Sequence, residues 1–437
     1  MGVDAIIRGG AAALCRPVPR FELSGEAWRA MVGALASEPG LQLAGLWADT
    51  VQVHALFNSG APVVASVAVE AGLYAGLSPV RPGAALFERM IADLWGHQAA
   101  DAVDTRPWLD HGAWPLLRPM SERPVPNVGG PNGGGPEVPE LAVEGEVVGF
   151  GPLPPGFAAG HWRVGVEGGR VRAVEARLGY GHRGVLGLMR GKSPAGAARL
   201  AARLSGASTV AHAVAFTRAV EAVSVEAVAV PPRGAALREA MLAAERVAMG
   251  LHDACALADA LGMGWARGQF ARERVVAACG TVFGNRLMLD TVVPGGVGAV
   301  AEVDALDAAL ASVPEMPVRW PAAWRARLAA RLAARLAARG AALGRDVAVA
   351  RAALAGLPGG EVAVAVQPAS GEGVGMAEGP QGQVWHWVRL AGGVVAACFA
   401  VDPAWHAVPA LERDAVGGTV DGLAAEGAGL HLAGMEL

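Results

Sequence analysis

The sequence of 437 residues contains only four cysteines, and they lie far apart along the chain. Cys15, Cys255, Cys279 and Cys398 form no Cys-x-x-Cys pair and no other spacing that is typical of a local metal site. A zinc or iron–sulfur site built from neighbouring cysteines is therefore excluded. Because free cysteine behaves as a small hydrophobic residue, we expect all four side chains to be buried.

Long apolar runs and an excess of positive charge are also missing. Hydrophobic residues make up 53% of the chain and the mean hydropathy is +0.35, yet no stretch reaches the roughly 18 strongly apolar residues of a membrane span. We expect no transmembrane segment and, because the first residues contain no cleavage signal, a cytoplasmic location. With a net charge of −4, the chain has no overall excess of positive charge to attract phosphates, so nucleic-acid binding is not expected.

One change in composition divides the chain. The stretch "RPVPNVGGPNGGGPEVP" (123–139) consists mainly of proline, glycine, asparagine and valine, which cannot build a core. The sequence predicts an α+β domain over residues 1–122, a linker over 123–140 and a larger domain over 141–437.

Local patterns predict an α+β fold in which a small sheet leads into a helix bundle. Alternation and β-branched residues predict strands in 41–57 and 62–70, and a helical period predicts a helix in 82–97 with Leu86, Met90 and Leu94 on one face. The stretch 161–178 predicts a hairpin that turns at Gly168 and Gly169. After that hairpin nearly all of the sequence is helical in pattern.

The segment 320–339, "WPAAWRARLAARLAARLAAR", repeats leucine and arginine every four residues. Residues four apart share a helix face, so it predicts an amphipathic helix with Pro321 in its first turn and Gly340 past its end. Packing in the bundle is one interpretation of this helix. Binding of an acidic partner or anionic lipid by the arginine stripe is the other.

Five stretches, in the same order, resemble a known family. They are "GFGPLPPGFAAGHWRVGVEGGRVRAVEARLGYGHRGV" (149–185), "RLSGASTVAHAVAFTRAVE" (203–221), "RVVAACGTVFGNRLMLDTVVPGGV" (274–297), "AEGPQGQVWHWVRL" (377–390) and "VDPAWHAVPALE" (401–412). They resemble the large subunit of energy-converting (group 4) nickel–iron hydrogenases and of formate hydrogenlyase, which is related to the 49 kDa subunit of complex I. The stretch 87–116 resembles the complex I 30 kDa subunit, so the resemblance implies a fusion of both modules.

The resemblance assigns the four metal-binding cysteines of the family to Ser205, Ser208, Ala404 and Ala407. Soft thiolates hold nickel and bridge it to iron, whereas a serine hydroxyl is a poor substitute and an alanine methyl group offers no ligand. The arginine that overhangs the iron corresponds to Gln381. We therefore expect no metal and no cofactor bound directly by this chain, with iron–sulfur clusters in partner subunits.

The sequence also lacks the residues with which the quinone-binding branch of the family binds its quinone. Its histidine-containing loop reads "GPLPPGFAAG" (151–160) here, its tyrosine corresponds to Gly206, and His161 lies just outside the motif. The polar residues left around the cavity are candidates for a proton relay, because buried ionisable groups are costly unless paired: His182, Arg183, His212, Glu378, Asp402 and His406. A hydrolase built from Ser205 or Ser208 with His212 and Asp402 is a weaker alternative, since no nucleophile elbow is present.

The resulting hypothesis is a hydrophilic core subunit of a hydrogenase-related or NADH dehydrogenase-like complex. It would lie on the inner face of the cell membrane and couple electron transfer to proton or ion movement. The expected partners are an iron–sulfur small subunit, like the 20 kDa subunit of complex I, and antiporter-like membrane subunits. An inert scaffold of such a complex, a quinone-reducing subunit and an isolated soluble enzyme with new chemistry remain alternatives.

Overall fold

The computed structural model describes residues 2–128, 145–151, 160–224, 228–260, 264–315, 330–420 and 423, with only the backbone described at 260 and 330–336. Three predicted features lie wholly or partly outside these ranges. They are the linker from residue 129 onward, positions 152–159 of the loop "GPLPPGFAAG", and residues 320–329 of the arginine-striped helix.

The N-terminal part of the chain builds a five-stranded sheet, here called the N-terminal sheet. Its strands lie in the order Ala11–Ala13, Arg20–Leu23, Val63–Ala68, Gln52–Asn58 and Gln42–Ala48. Helices Val3–Arg8, Gly25–Leu35 and Ala85–Trp95 accompany it. The strands predicted in 41–57 and 62–70 are confirmed, as is the helix predicted in 82–97, and Leu86, Met90 and Leu94 are buried as expected. Short ladders pair Leu73–Ala75 with Gln98–Ala100 and Leu116–Leu117 with Val125–Pro126.

A second sheet contains the predicted hairpin. Strands Glu146–Phe150, His161–Glu167 and Arg170–Arg177 form three antiparallel neighbours. Gly168 and Gly169 both adopt positive φ, 58° and 74°, as the tight turn between the last two strands requires. The hairpin prediction is confirmed.

Helices form most of the remaining chain. They are Val185–Met189, Pro194–Ala201, Thr209–Glu221, Pro232–Ala260, Ala266–Phe283, Asp304–Ala311, Ala330–Ala355 and Ala404–Asp414. A two-stranded ladder, Val292–Val293 with Gly296–Val297, interrupts them. We call Thr209–Glu221 the site helix and Pro232–Ala260 the long helix. Helices and sheets together confirm the α+β class.

The expectation that the chain stays helical after the hairpin is wrong for its last third. Strands Gly371–Gly379, Gly382–Ala391 and Val394–Val401 form an antiparallel meander, and Cys15–Arg16 adds a parallel edge strand. We call this four-stranded unit the C-terminal sheet. Both faces of its middle strand are buried, so it lacks the alternation of a half-exposed strand. Periodicity alone does not separate such a run from a buried helix.

Glycines let the site helix approach the C-terminal sheet closely. A Cβ atom at Gly373 would collide with the carbonyl oxygen of Ala219, and one at Gly375 with that of Ala215. These contacts are with helix backbone, which cannot move aside as a flexible side chain can. Glycine at alternate strand positions therefore sets the distance between helix and sheet.

Replacing Gly375 by alanine is expected to lower the free energy of unfolding by about 1–3 kcal/mol, because the added methyl group forces helix and strand apart. Chemical denaturation measures the loss. Gly33→Ala is the matched control, since Gly33 lies in a helix where an added Cβ atom would meet no neighbour within 4 Å, and the substitution should not destabilise. Equal stability of the two variants would show that the close approach of helix and strand at Gly375 does not affect the free energy of unfolding.

The end predicted for the arginine-striped helix is wrong. The helix continues through Gly340 and ends at Ala355. Leu343, Ala350 and Leu354 are buried in the same hydrophobic cluster as residues of the long helix, and Leu343 lies against Gly250. This packing outweighs the helix-breaking tendency of a single glycine, which costs only about 1 kcal/mol.

The N-terminal and C-terminal sheets share one hydrophobic cluster. Trp47 stacks on Phe399 with ring centroids 5.8 Å apart, and Phe87 stacks on Trp405 at 4.8 Å. All four cysteines are buried and unpaired, as expected. Among the helices in the described ranges, none is both long and apolar enough to cross a membrane.

Candidate functional site

Three buried side chains form a hydrogen-bonded row at the start of the site helix. His212 Nε2 lies 3.0 Å from Asp402 Oδ2, and His212 Nδ1 lies 2.9 Å from His386 Nε2. The exposed fractions are 0% for His212, 2% for Asp402 and 1% for His386. We call this row, Asp402–His212–His386, the histidine row.

Three elements position the row. His212 lies in the first turn of the site helix, where its N–H donates to the Ser208 carbonyl oxygen. Asp402 directly follows the strand Val394–Val401, and its Oδ1 accepts the backbone N–H of Ala404 at 2.8 Å. His386 lies in the neighbouring strand, paired with Ala400. The sheet thus presents an acid and an imidazole to one helical histidine.

The row can hold a proton in two ways. Because a carboxylate only accepts, His212 Nε2 carries a hydrogen in both. If His212 is neutral, its Nδ1 accepts from His386 Nε2; if it is charged, it donates to His386 Nε2 instead. Burial lowers the pKa of His386 well below its usual value, and the neighbouring His212 adds to this effect, so His386 is the neutral member. The Nδ1 atom of His386 has no hydrogen-bond partner among the residues described.

Glu245 of the long helix closes the N-terminus of the site helix. Its two carboxylate oxygens accept the N–H groups of Val210 and Ala211 at 2.6 and 3.0 Å. These are unpaired first-turn donors that a capping side chain normally binds. Ser208 occupies the capping position, yet its side chain makes no cap hydrogen bond. Burial, with a smaller contribution from the charge of Asp402, raises the pKa of Glu245 to about 8 despite both bonds.

The turn between the first two strands of the meander covers the same region. Gly379 faces Ala211 of the site helix, and Gly382 faces Pro403. At the tip, Gln381 donates to Asp253 Oδ2 at 3.0 Å and accepts from Arg339 Nη2 at 2.8 Å. Arg339 also contacts Asp253 at 3.1 Å. A guanidinium from another helix is therefore anchored beside Gln381.

The four positions that the resemblance assigns to metal ligands do not fit a nickel–iron centre. Ser205 and Ser208 are buried, and Ser205 Oγ has no hydrogen-bond partner in the described ranges. Ala404, also buried, and Ala407 offer methyl groups only. Within the part of the chain that the structure describes, no group of three or more His, Cys, Asp or Glu side chains is arranged to hold a metal ion.

The same geometry disfavours a serine hydrolase. Asp402 and His386 occupy the two ring nitrogens of His212, so neither nitrogen is available to take a proton from a serine.

The other predicted site residues lie away from the histidine row's hydrogen bonds. His182 stacks on Trp114 with centroids 4.5 Å apart, and exposed Arg183 donates to the Leu204 carbonyl oxygen at 2.8 Å. Glu378 is exposed on its strand. His406 Nε2 donates to the carbonyl oxygen of Ala44 at 3.1 Å. Of the six candidates, the structure therefore joins two, His212 and Asp402, by a hydrogen bond.

The loop residue His161 belongs to another group. Its ring meets Tyr180 edge-on at 5.0 Å, and Tyr180 stacks on His111 at 5.4 Å.

Sequence reasoning missed His386 and Glu245. Both carried a signal: His386 interrupts the apolar run "VWHWV", and Glu245 follows Leu237 and Met241 at intervals of four on the buried side of the long helix. An ionisable residue in line with buried neighbours is expected to have a partner.

A solved structure shares this fold. It is described as the structure of the membrane-bound sulfane sulfur reductase (MBS), an archaeal respiratory membrane complex. One of its chains aligns with a TM-score of 0.59 and 19% identity, covering 65% of this chain and 96% of that chain. No protein-family model and no curated protein sequence matches this chain. The likeness establishes the fold.

Proposed function

We propose that this chain is a hydrophilic core subunit of a membrane-associated oxidoreductase complex and that it lacks a nickel–iron centre of its own. Two findings support the proposal. The fold is similar to that of a chain from a respiratory membrane complex. The positions at which the resembling family binds its metals carry hydroxyl and methyl groups, which are unsuitable ligands for nickel.

Within the complex, the proposed role is to couple redox events in partner subunits to proton movement. The observation that carries it is the histidine row. The hydrogen bond between His212 Nδ1 and His386 Nε2 can reverse its direction when a proton arrives, while Asp402 holds His212 in place, and all three residues are at most 2% exposed. The neighbouring Glu245, with its pKa raised to about 8, offers a second protonation site near neutral pH.

An inert scaffold is the competing role. A scaffold needs buried apolar contact, and a buried carboxylate against two imidazoles costs free energy relative to apolar side chains of similar volume. The presence of three buried ionisable groups in the row therefore favours coupling over scaffolding. The proposed partners are an iron–sulfur small subunit, which would carry the clusters, and antiporter-like membrane subunits, which would place this chain on the inner membrane face.

Affinity purification of the tagged chain from native membranes tests this assembly. We expect it to recover a small iron–sulfur protein and multi-span membrane proteins. The purified complex should contain iron but well below one nickel per copy of this chain. It should show no hydrogen uptake with viologen dyes. The missing thiolates are the reason for the low nickel content.

Two results would overturn the proposal. Recovery of the chain as a soluble monomer from cells that contain those subunits contradicts the membrane complex. Nickel near one equivalent per chain contradicts the absence of a metal centre.

A further inference from the structure

A cavity of about 100 Å³ lies where the N-terminal sheet meets the C-terminal sheet. Its apolar wall includes Trp95, Met120 and Cys398, and its charged groups are Asp49, Arg190 and Arg389. None of these residues belongs to the histidine row. The volume is several times the roughly 10–15 Å³ that one water molecule needs.

One charged group of this cavity, Arg190, is not balanced by an ion pair within the described ranges. Arg389 Nη1 lies 2.8 Å from Asp49 Oδ2, and its Nε lies 2.9 Å from Glu372 Oε1. The single carboxylate in the lining is therefore already paired. Arg190 is exposed, and the structure gives it no hydrogen bond or ion pair with any residue that it describes. In the buried network Arg389 and Arg20 balance Asp49 and Glu372, so Arg190 is the charged group of the lining that has no paired carboxylate among the residues described.

The walls also hold the charged groups in place. Arg389 is fixed from two sides by Asp49 and Glu372, and its guanidinium lies 5.0 Å from the centroid of the Trp387 ring. Arg190 ends the short helix Val185–Met189, and the next residue, Gly191, donates to the Val395 carbonyl oxygen at 2.8 Å. One guanidinium is thus preorganised, and the backbone beside the other is anchored to the C-terminal sheet.

We propose that this cavity binds a small oxyanion of the size of phosphate or sulfate between Arg190 and Arg389. Guanidinium groups present a planar fork of N–H donors that matches oxyanion geometry, and a bound anion would balance the charge of Arg190. The site is independent of the proposed function, because it involves neither the metal-ligand positions nor the histidine row.

Isothermal titration calorimetry on the full chain tests the site. Potassium phosphate and potassium sulfate are titrated separately, with potassium chloride at equal ionic strength as the reference. We expect saturable binding of at least one of the two oxyanions, close to one per chain. Arg190→Gln should weaken the affinity at least tenfold, because it removes the unpaired charge but keeps much of the length of the side chain.

Arg413→Gln is the matched control. Arg413 is exposed and contacts only its neighbour Asp414 among the ion pairs given by the structure, so its replacement should leave the affinity unchanged. Sulfate and phosphate also stabilise proteins non-specifically, but that effect does not saturate and does not depend on Arg190. The proposal is overturned if neither anion binds saturably, or if Arg190→Gln binds as tightly as the unmodified chain.

Discussion

Replacing Glu372 by glutamine is expected to lower the free energy of unfolding by about 3 kcal/mol or more. Its carboxylate lies 3.0 Å from Arg20 Nε and 2.9 Å from Arg389 Nε, and it accepts the Trp387 Nε1 hydrogen at 3.1 Å. Its side chain is 9% exposed and that of Arg20 is 6% exposed. The neutral amide would leave two guanidinium groups without this carboxylate at the junction of the two sheets.

Urea denaturation followed by tryptophan fluorescence measures the loss. Glu22→Gln is the matched control, because Glu22 also contacts Arg20, at 3.2 Å, but is 44% exposed. An exposed ion pair contributes at most about 1 kcal/mol, so this variant should remain close to the unmodified chain. If both variants lose the same small amount, the buried network does not stabilise the junction.

Replacing Glu245 by glutamine should make the protein less sensitive to rising pH. The pKa of Glu245 is raised from 4.5 to about 8 by burial. Below pH 4.5 both folded and unfolded chains are protonated at this residue, so it contributes no slope. Between pH 4.5 and 8 the unfolded chain loses this proton first, and the free energy of unfolding falls by up to about 1.4 kcal/mol per pH unit.

Glutamine stays neutral, as the protonated acid does, so the two proteins should have similar stability near pH 4.5. By pH 8 the Glu245→Gln variant should be more stable by on the order of 2–4 kcal/mol. Thermal or urea unfolding at a series of pH values gives both curves. Glu239→Gln is the control in the same helix, because Glu239 is half-exposed and pairs with Arg218. Parallel curves for Glu245→Gln and the unmodified chain would show that Glu245 is ionised throughout this range.

This pH dependence bears on the proposed function as well. A carboxylic acid that binds the N–H groups of Val210 and Ala211 changes charge beside the same first turn of the site helix that carries His212. Infrared difference spectra of the same variant should lack a protonated carboxyl band that the unmodified chain shows near neutral pH.

Local patterns were sufficient where an apolar period or a turn residue is visible in the sequence. The strands in 41–57, the helix Ala85–Trp95 and the turn at Gly168 and Gly169 follow from alternation, helical period and glycine chemistry. The resemblance to hydrogenase large subunits also placed His212 and Asp402 near one cavity. These predictions rest on residues close together in sequence or on motifs that recur in a fixed order.

The patterns failed where burial hides the period. The middle strand Gly382–Ala391 is buried on both faces, and Gly340 lies inside a helix that its neighbours hold together. Of the two hydrogen-bond partners of His212, the resemblance named Asp402 but not His386. Glu245, which accepts from Val210 and Ala211 and comes from a separate helix, was also missed.

The sequence by itself determined the lack of Cys-x-x-Cys pairs, the lack of an excess of positive charge and the α+β class, since residue identity and local period suffice for each. Only the tertiary structure decided which ionisable groups meet. Hydrogen bonds act over about 3 Å, and whether His386, Asp402 and Glu245 lie within that distance of the site helix depends on how closely helix and sheet pack. That packing distance is set by backbone contacts at Gly373 and Gly375, which appear only when the chain is folded.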